Sequence, residues 1–277
     1  MARVRTVANF GLHSRHAHAL RSIYPYAAPW LPLVLLAAGW EAVARSGMFS
    51  RYVLPPLSVV LRRIVQDSND GDLFVALGLT LSRALCGFLI AGFLGVVVGL
   101  LMYRSRVFRW LFDPIVSIGF PMPKVAFLPI IVLWLGFHDL AKISMIVFDA
   151  IFPVITATVA ALSGVDRHYV WSASSLGAGR HRMLWEILLP AASPQILTGL
   201  QVALPIALIL AVFTEMMTGG IGLGANMMQS GREADSVGVF AGLIEIAVVG
   251  YVVVRALALI RRRLLIWHPE GGEHVVR

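Results

Sequence analysis

Residues Trp171 to Gln195 read WSASSLGAGRHRMLWEILLPAASPQ. They form the longest polar interruption in the apolar second half of the chain, with an apolar run on either side. A loop of this length between two such runs is a place for function. Asp166, after Gly164, is placed to cap a short helix running to about Leu176. Gly177 is placed to end it, because glycine takes the left-handed conformation without a Cβ clash. A second short helix, His181 to Leu188, is expected to stop at Pro190, with Ser193-Pro194 opening the next helix. Leu184, Trp185 and Leu188 make an apolar stripe at helical spacing. Outside a bilayer such a stripe needs a partner surface, either the chain's own helix ends or another protein.

The flanking runs set the class. Of 277 residues, 58% are hydrophobic and 14% charged. A soluble domain carries about 25% charged residues. Mean hydropathy is +0.80. The apolar residues fall in segments long enough to span a bilayer, which makes this a polytopic membrane protein. One cysteine, Cys86, excludes an internal disulfide and reads as a small packing residue. Net charge is +8. In a membrane chain that excess speaks of orientation rather than of nucleic acid.

Six spans are expected: about Ala27 to Ala44, Leu73 to Met102, Leu111 to Gly136, Lys142 to Ser163, Ser193 to Met217 and Val237 to Ile260. They divide the chain into an N-terminal tail (residues 1–22), a membrane domain (23–267) holding the loop 164–192, and a C-terminal tail (268–277). The tail's histidines fit no standard metal site, and none is expected. Gly95 and Gly99 in the second span form a GxxxG, a spacing that lets helices approach closely. The third span holds Pro114, Pro121, Pro123 and Pro129. Such breaks survive in a membrane where protein or a watery cavity satisfies the freed carbonyls, so this span is expected to line the pathway. Pro153 is expected to break the fourth span. Thr218 to Ser236 reads as a glycine-rich outer loop or gate, with an anion-binding nest of backbone N–H groups as the alternative.

Basic residues set the orientation. With both termini inside, fifteen Lys and Arg fall in inner segments and six in outer ones. The loop around Gly177 then faces the cytoplasm.

The loop's spacing also carries a resemblance. Gly177, nine residues, Ile187, one residue, Leu189, Pro190 resembles the signature E-A-A-x3-G-x9-I-x-L-P of ATP-binding-cassette importer permeases. Trp171, Ser172 and Ala173 stand where Glu-Ala-Ala is usual. Phe120 to Pro129, Leu133-Trp-Leu-Gly136, and Glu215 followed by Gly219-Gly-Ile-Gly-Leu-Gly224 look like the branch handling nitrate, sulfonates, taurine and thiamine-precursor pyrimidines. The resemblance covers about Pro55 to Trp267. It implies the type I importer permease fold: all-α, six membrane helices, and a cytoplasmic coupling helix between the fourth and fifth. It implies a permease of the bacterial inner membrane, in which Gly177, Leu184, Trp185, Ile187, Leu188, Leu189 and Pro190 couple to an ATPase. The implied partners are two ATPase subunits, a second permease copy, an extracytoplasmic solute-binding protein and membrane lipid.

The chain has no G-x4-G-K-[ST] loop, so ATP and Mg are expected on the partner and no cofactor on this chain. No HExxH, paired cysteines or nucleophile elbow points to an enzyme. Ionisable residues within spans cost roughly 2.5 to 3.5 kcal/mol each at a helix centre and are expected to face the bundle interior or a cavity. Arg83, Lys124, Asp149 and Glu215, with Met122 beside the proline break, are the substrate-pathway candidates. The competing reading is that Arg83 and Lys124 pair with Asp149, Glu215 or Glu245 and pin helices together. An ion-gradient-driven secondary transporter is the alternative function. It commonly shows internal repeats, and none is seen. A small anion is the favoured cargo; a neutral pyrimidine fits the sequence as well.

Overall fold

The computed structural model describes residues 31–267; both predicted tails and the first residues of the first predicted span lie outside them. The chain divides into two compact units after Arg62. In the first, α1 (Leu31–Arg45) is followed by a turn-rich stretch and the start of α2 (Leu57–Asp70). Trp40 donates to the Pro55 carbonyl at 3.0 Å. Glu41 accepts from Arg45 Nε at 2.6 Å and from the Ser58 backbone at 3.1 Å.

The second unit is all helix among its described residues. α3 (Asp72–Arg104) is followed by α4 (Arg106–Gly119), a 3-10 turn (Lys124–Phe127), α5 (Leu128–Leu135) and α6 (Asp139–Ser163). α7 (Arg167–Ser175) and α8 (Arg180–Arg182) form the loop; α8 continues through a π-helical turn (Met183–Leu188) into α9 (Leu189–Thr218). α10 (Leu223–Arg232) and α11 (Ser236–Leu264) complete it. Among the described residues four helices are long and apolar enough to cross a membrane, and α4 with the 3-10–α5 segment makes a fifth, bent by 97°. The expected first span is described only from Leu31 onward, as α1.

The core lies where α3, α6 and α9 cross, and small residues bring the helices together. Ala84, Phe88 and Ala91 of α3 pack with Met145, Ile146 and Val154 of α6 and with Ala203, Leu204 and Ala207 of α9. A Cβ on Gly95 would stand 2.7 Å from Val154 Cβ, and one on Gly99 2.6 Å from Thr158 Cβ. The GxxxG is therefore the α3 contact face for α6. Gly199 of α9 likewise abuts Ala157 of α6.

Five expectations are corrected. Pro153 does not break the fourth span: α6 runs unbroken through it, and Pro153 is buried in the helix. Pro190 does not stop the loop's second helix, and Ser193-Pro194 lie inside α9 rather than starting it. The reason is the π turn. Leu189 N–H bonds the Leu184 carbonyl five residues back, and this wider turn relieves the clash a proline ring makes with the carbonyl four residues before it. The outer loop after Thr218 contains α10. Cys86 sits on the exposed face of α3 rather than in a packed contact.

Candidate functional site

The loop between α6 and α9 is built as its residues dictate. Asp166 caps α7 by accepting from His168 N–H at 2.9 Å. At the other end Gly177 takes φ +77°. Ala178 N–H reaches the Ala173 carbonyl and Gly177 N–H the Ser174 carbonyl, both at 3.0 Å. This paired closure is the Schellman motif, which needs a residue free of left-handed strain at Gly177. The apolar stripe then splits. Leu184 and Leu188 are buried with Ala161, Leu162, Ala192 and Ile196, the cytoplasm-proximal ends of α6 and α9 in the predicted orientation. Ile187 and Leu189 are half-buried, and Gly177 and Pro190 are exposed. Trp185 faces out beside His181, with ring centres 6.1 Å apart.

The outward face carries residues the spacing did not single out. Leu176 is 88% exposed and Tyr169 and Trp171 about equally open at 61% and 59%. His168 packs edge-on to Trp171 at 5.4 Å. Arg167, Arg180, His181 and Arg182 are exposed around them. Arg182 donates to Glu186 at 2.7 Å, which holds its guanidinium above its ordinary pKa. Exposed pairs of this kind contribute little to stability. The loop is thus anchored by two leucines and presents an aromatic and basic face. Leu176 was legible as the residue before a C′ glycine, where Schellman closure turns the chain outward.

At the far ends of the same helices lies a buried ionic network. Arg83 of α3 donates to Glu215 of α9 at 2.7 Å and to Asp139 of α6 at 2.8 Å. It also donates to the Ile221 carbonyl at 2.7 Å. Glu215 is fully buried and Arg83 6% exposed. The second Glu215 oxygen accepts from Thr80 at 2.9 Å and from Gly224 N–H at 3.1 Å. Lys142 donates to the Gly219 carbonyl at 2.9 Å. From the glycine-rich stretch a single backbone N–H, that of Gly224, reaches an anion, the chain's own Glu215. A Cβ at Gly222 would collide with that carboxylate. Sequence reasoning missed Thr80, Asp139 and Lys142. Each carried a signal: Thr80 lies one helical turn from Arg83, and Lys142 one turn from Asp139.

Lys124 is held apart from Arg83. Its Nζ lies 2.7 Å from Asp149 and donates to the Phe120 and Met122 carbonyls at 3.2 and 3.5 Å. It also lies 4.9 Å from the centre of the Phe152 ring. The ammonium thereby satisfies carbonyls left over by the Pro121–Pro123 break. Met122 is half-buried beside it. Of the five pathway candidates, the structure joins Arg83 with Glu215 and Lys124 with Asp149, in two separate clusters.

A bundle of long apolar helices, a broken span and an anchored loop with an outward aromatic face define the membrane subunit of a transport machine. Residues 91–266 match the family of binding-protein-dependent transport system inner membrane components, and the chain belongs to that family. It is 32% identical to a taurine transport system permease protein of Escherichia coli (strain K12), over 86% of this chain and 88% of that one. It is 34% identical to a putative aliphatic sulfonates transport permease protein of Bacillus subtilis (strain 168), over 86% of each. A formylaminopyrimidine transport permease protein of Halalkalibacterium halodurans is 29% identical over 91% of this chain and the whole of the relative. A bacterial ABC transporter involved in the import of alginate shares the fold, with TM-score 0.61 at 16% identity over 90% of this chain and 99% of that one. The protein is therefore the permease subunit of an ATP-binding-cassette importer of the sulfonate, taurine and thiamine-precursor branch. It is a multi-pass inner-membrane protein that works with an ATPase and a binding protein, not an enzyme.

Proposed function

We propose that this permease carries a small sulfonate-type anion inward and draws its energy from ATP and Mg bound on the partner ATPase. Two copies of the chain enclose the path, with one ATPase docked on each loop, both termini in the cytoplasm and the binding protein on the opposite face. One observation carries the coupling: the loop exposes Trp171, Leu176 and Trp185 while Leu184 and Leu188 tie it to α6 and α9. A push on that face is transmitted to both core helices. ATP acts by favouring one conformation through differential affinity. Relatives that handle taurine and aliphatic sulfonates support the cargo class.

The test is a pull-down of the tagged chain from native membranes. Leu176→Asp is expected to lose the ATPase and transport while the chain inserts and keeps its thermal stability. Leu188→Asp buries a charge in the loop's own core and is expected to lower the yield of folded chain. Full ATPase recovery with Leu176→Asp sinks the assignment of this face.

A further inference from the structure

We infer that the hollow at the α9–α10 junction receives the anionic head of the transported solute, held by the Arg232 guanidinium and the side-chain amides of Asn226 and Gln229. The inference deepens the proposed function and rests on its anionic cargo. The hollow has a volume of about 280 Å³ and is lined by Met216, Gly219, Gly220, Asn226, Gln229 and Arg232, among others. That is near the lower end of the roughly 300–1,000 Å³ typical of small-molecule sites.

Asn226, Gln229 and Arg232 follow at three-residue steps along α10 and so share one side of the helix. Arg232 is the one ionisable residue in the lining. Among the described residues no carboxylate lies within 4.0 Å of it, unlike Arg63, Arg83 and Arg182. Glu233 lines a neighbouring hollow with Arg63, Asp67, Asp72 and Glu245, and Asn226 and Gln229 stand between the two hollows, lining both. Glu233 accepts one N–H of the Gln229 amide, which leaves that amide's second N–H for a ligand.

The opposite wall is also free of repulsion. The Gly219 carbonyl is taken by Lys142. Lys142 Nζ stands behind Gly220, 3.4 Å from where a Cβ would be. The nearby acids, Glu215 and Asp139, are both engaged by Arg83. A hollow lined by one guanidinium and two amides, with the Glu233 carboxylate turned to the neighbouring hollow and no carboxylate in its own lining, suits a sulfonate, whose oxygens only accept; charge-assisted bonds from guanidinium are the strong ones for such a group. The hollow lies at the end of α9 away from the coupling loop. A solute released on the outer face meets it before the bundle.

The test measures ethanesulfonate binding to the full chain with its ATPase in lipid nanodiscs, with the binding protein omitted. Wild type is expected to bind. Arg232→Gln is expected to weaken binding at least tenfold with an unchanged Tm, and Arg232→Lys, which keeps a point charge, to weaken it less. Equal binding by Arg232→Gln overturns the site. So does a wild type that binds nothing in nanodiscs although the complete importer takes up ethanesulfonate; the proposed function then stands. A complete wild-type importer that takes up a neutral pyrimidine but no ethanesulfonate overturns the anionic cargo itself.

Discussion

Glu215 shows how a single side chain can tie one end of a helix bundle together. Its two oxygens accept from helix α3 through Arg83 and Thr80 and from the start of α10 through Gly224. Removing one member of a buried pair leaves an uncompensated charge, at a cost of about 3–5 kcal/mol. Glu215→Gln keeps an oxygen for Thr80 and Gly224, removes the charge and turns the oxygen that accepts from Arg83 into an amide donor. Asp139 still faces Arg83, so a loss near the low end, about 3 kcal/mol, is expected. A thermal melt of the purified chain in detergent checks it; a Tm within about 1 °C of wild type would refute the role. The sequence told that Arg83 and Glu215 needed partners, because charge inside an apolar run always does. It did not tell which. Asp139 reads as a turn residue, and only the fold brings α6's first turn against the middle of α3. Lys124 pairs with Asp149, one of the three acids the helix-pinning reading named. Its Asp149 partner was one of several acids in reach, but the backbone carbonyls it also binds become available only when the span actually breaks.

The long helices were legible in place, less so in their ends: five of the six expected spans are seen as crossing segments among the described residues, one of them bent. Glycine spacing identified the α3 face that meets α6, and that face makes an internally controlled prediction. A Cβ at Gly95 would press on Val154 at 2.7 Å, whereas one at Gly78, on the same helix, meets nothing within 4 Å. Gly95→Leu is expected to cut the yield of monodisperse protein several-fold, because overpacking a tight crossing forces the helices apart. Gly78→Leu is expected to leave it near wild type. Equal yields from the two would remove the α3–α6 crossing as the packing constraint. The misread ends all involve proline. Pro153 reads as a break, Pro190 as a stop and Pro194 as a start by local rule, and each is tolerated inside a helix here. In lipid an ended helix exposes backbone that nothing satisfies, so continuity with a wide turn or a side-chain hydrogen bond costs less than termination. Ser193, for example, donates to the Pro190 carbonyl, which the missing N–H of Pro194 leaves free, at 2.8 Å. Among the described residues only the third span, with prolines at 121 and 123, breaks outright, and there Lys124 supplies donors to the Phe120 and Met122 carbonyls.

At the scale of the whole molecule the chemistry is polarised along α9. Its first turn grows out of the coupling loop, and its last feeds the glycine-rich turn, α10 and the Arg232 hollow. Thirty helical residues separate the two, about 45 Å at 1.5 Å per residue, enough to cross the hydrocarbon and both its margins. Leu176 and Arg232 therefore belong on opposite sides of the membrane. The positive-inside rule says which: fifteen basic residues against six put Leu176 in the cytoplasm. The single native cysteine makes this directly measurable. In a Cys86→Ser background, Leu176→Cys and Arg232→Cys each place one thiol on an exposed position. A membrane-impermeant maleimide added to intact spheroplasts is expected to label position 232 and spare 176, and inverted vesicles are expected to reverse the pattern. The reversed labelling in spheroplasts would invert the topology, and with it the sides assigned to the ATPase and to the incoming solute. Labelling of both from one side would contradict the crossing by α9 itself. Opposed labelling in the expected sense places the loop between α6 and α9 on the cytoplasmic side and the Glu215 network with α10 on the other.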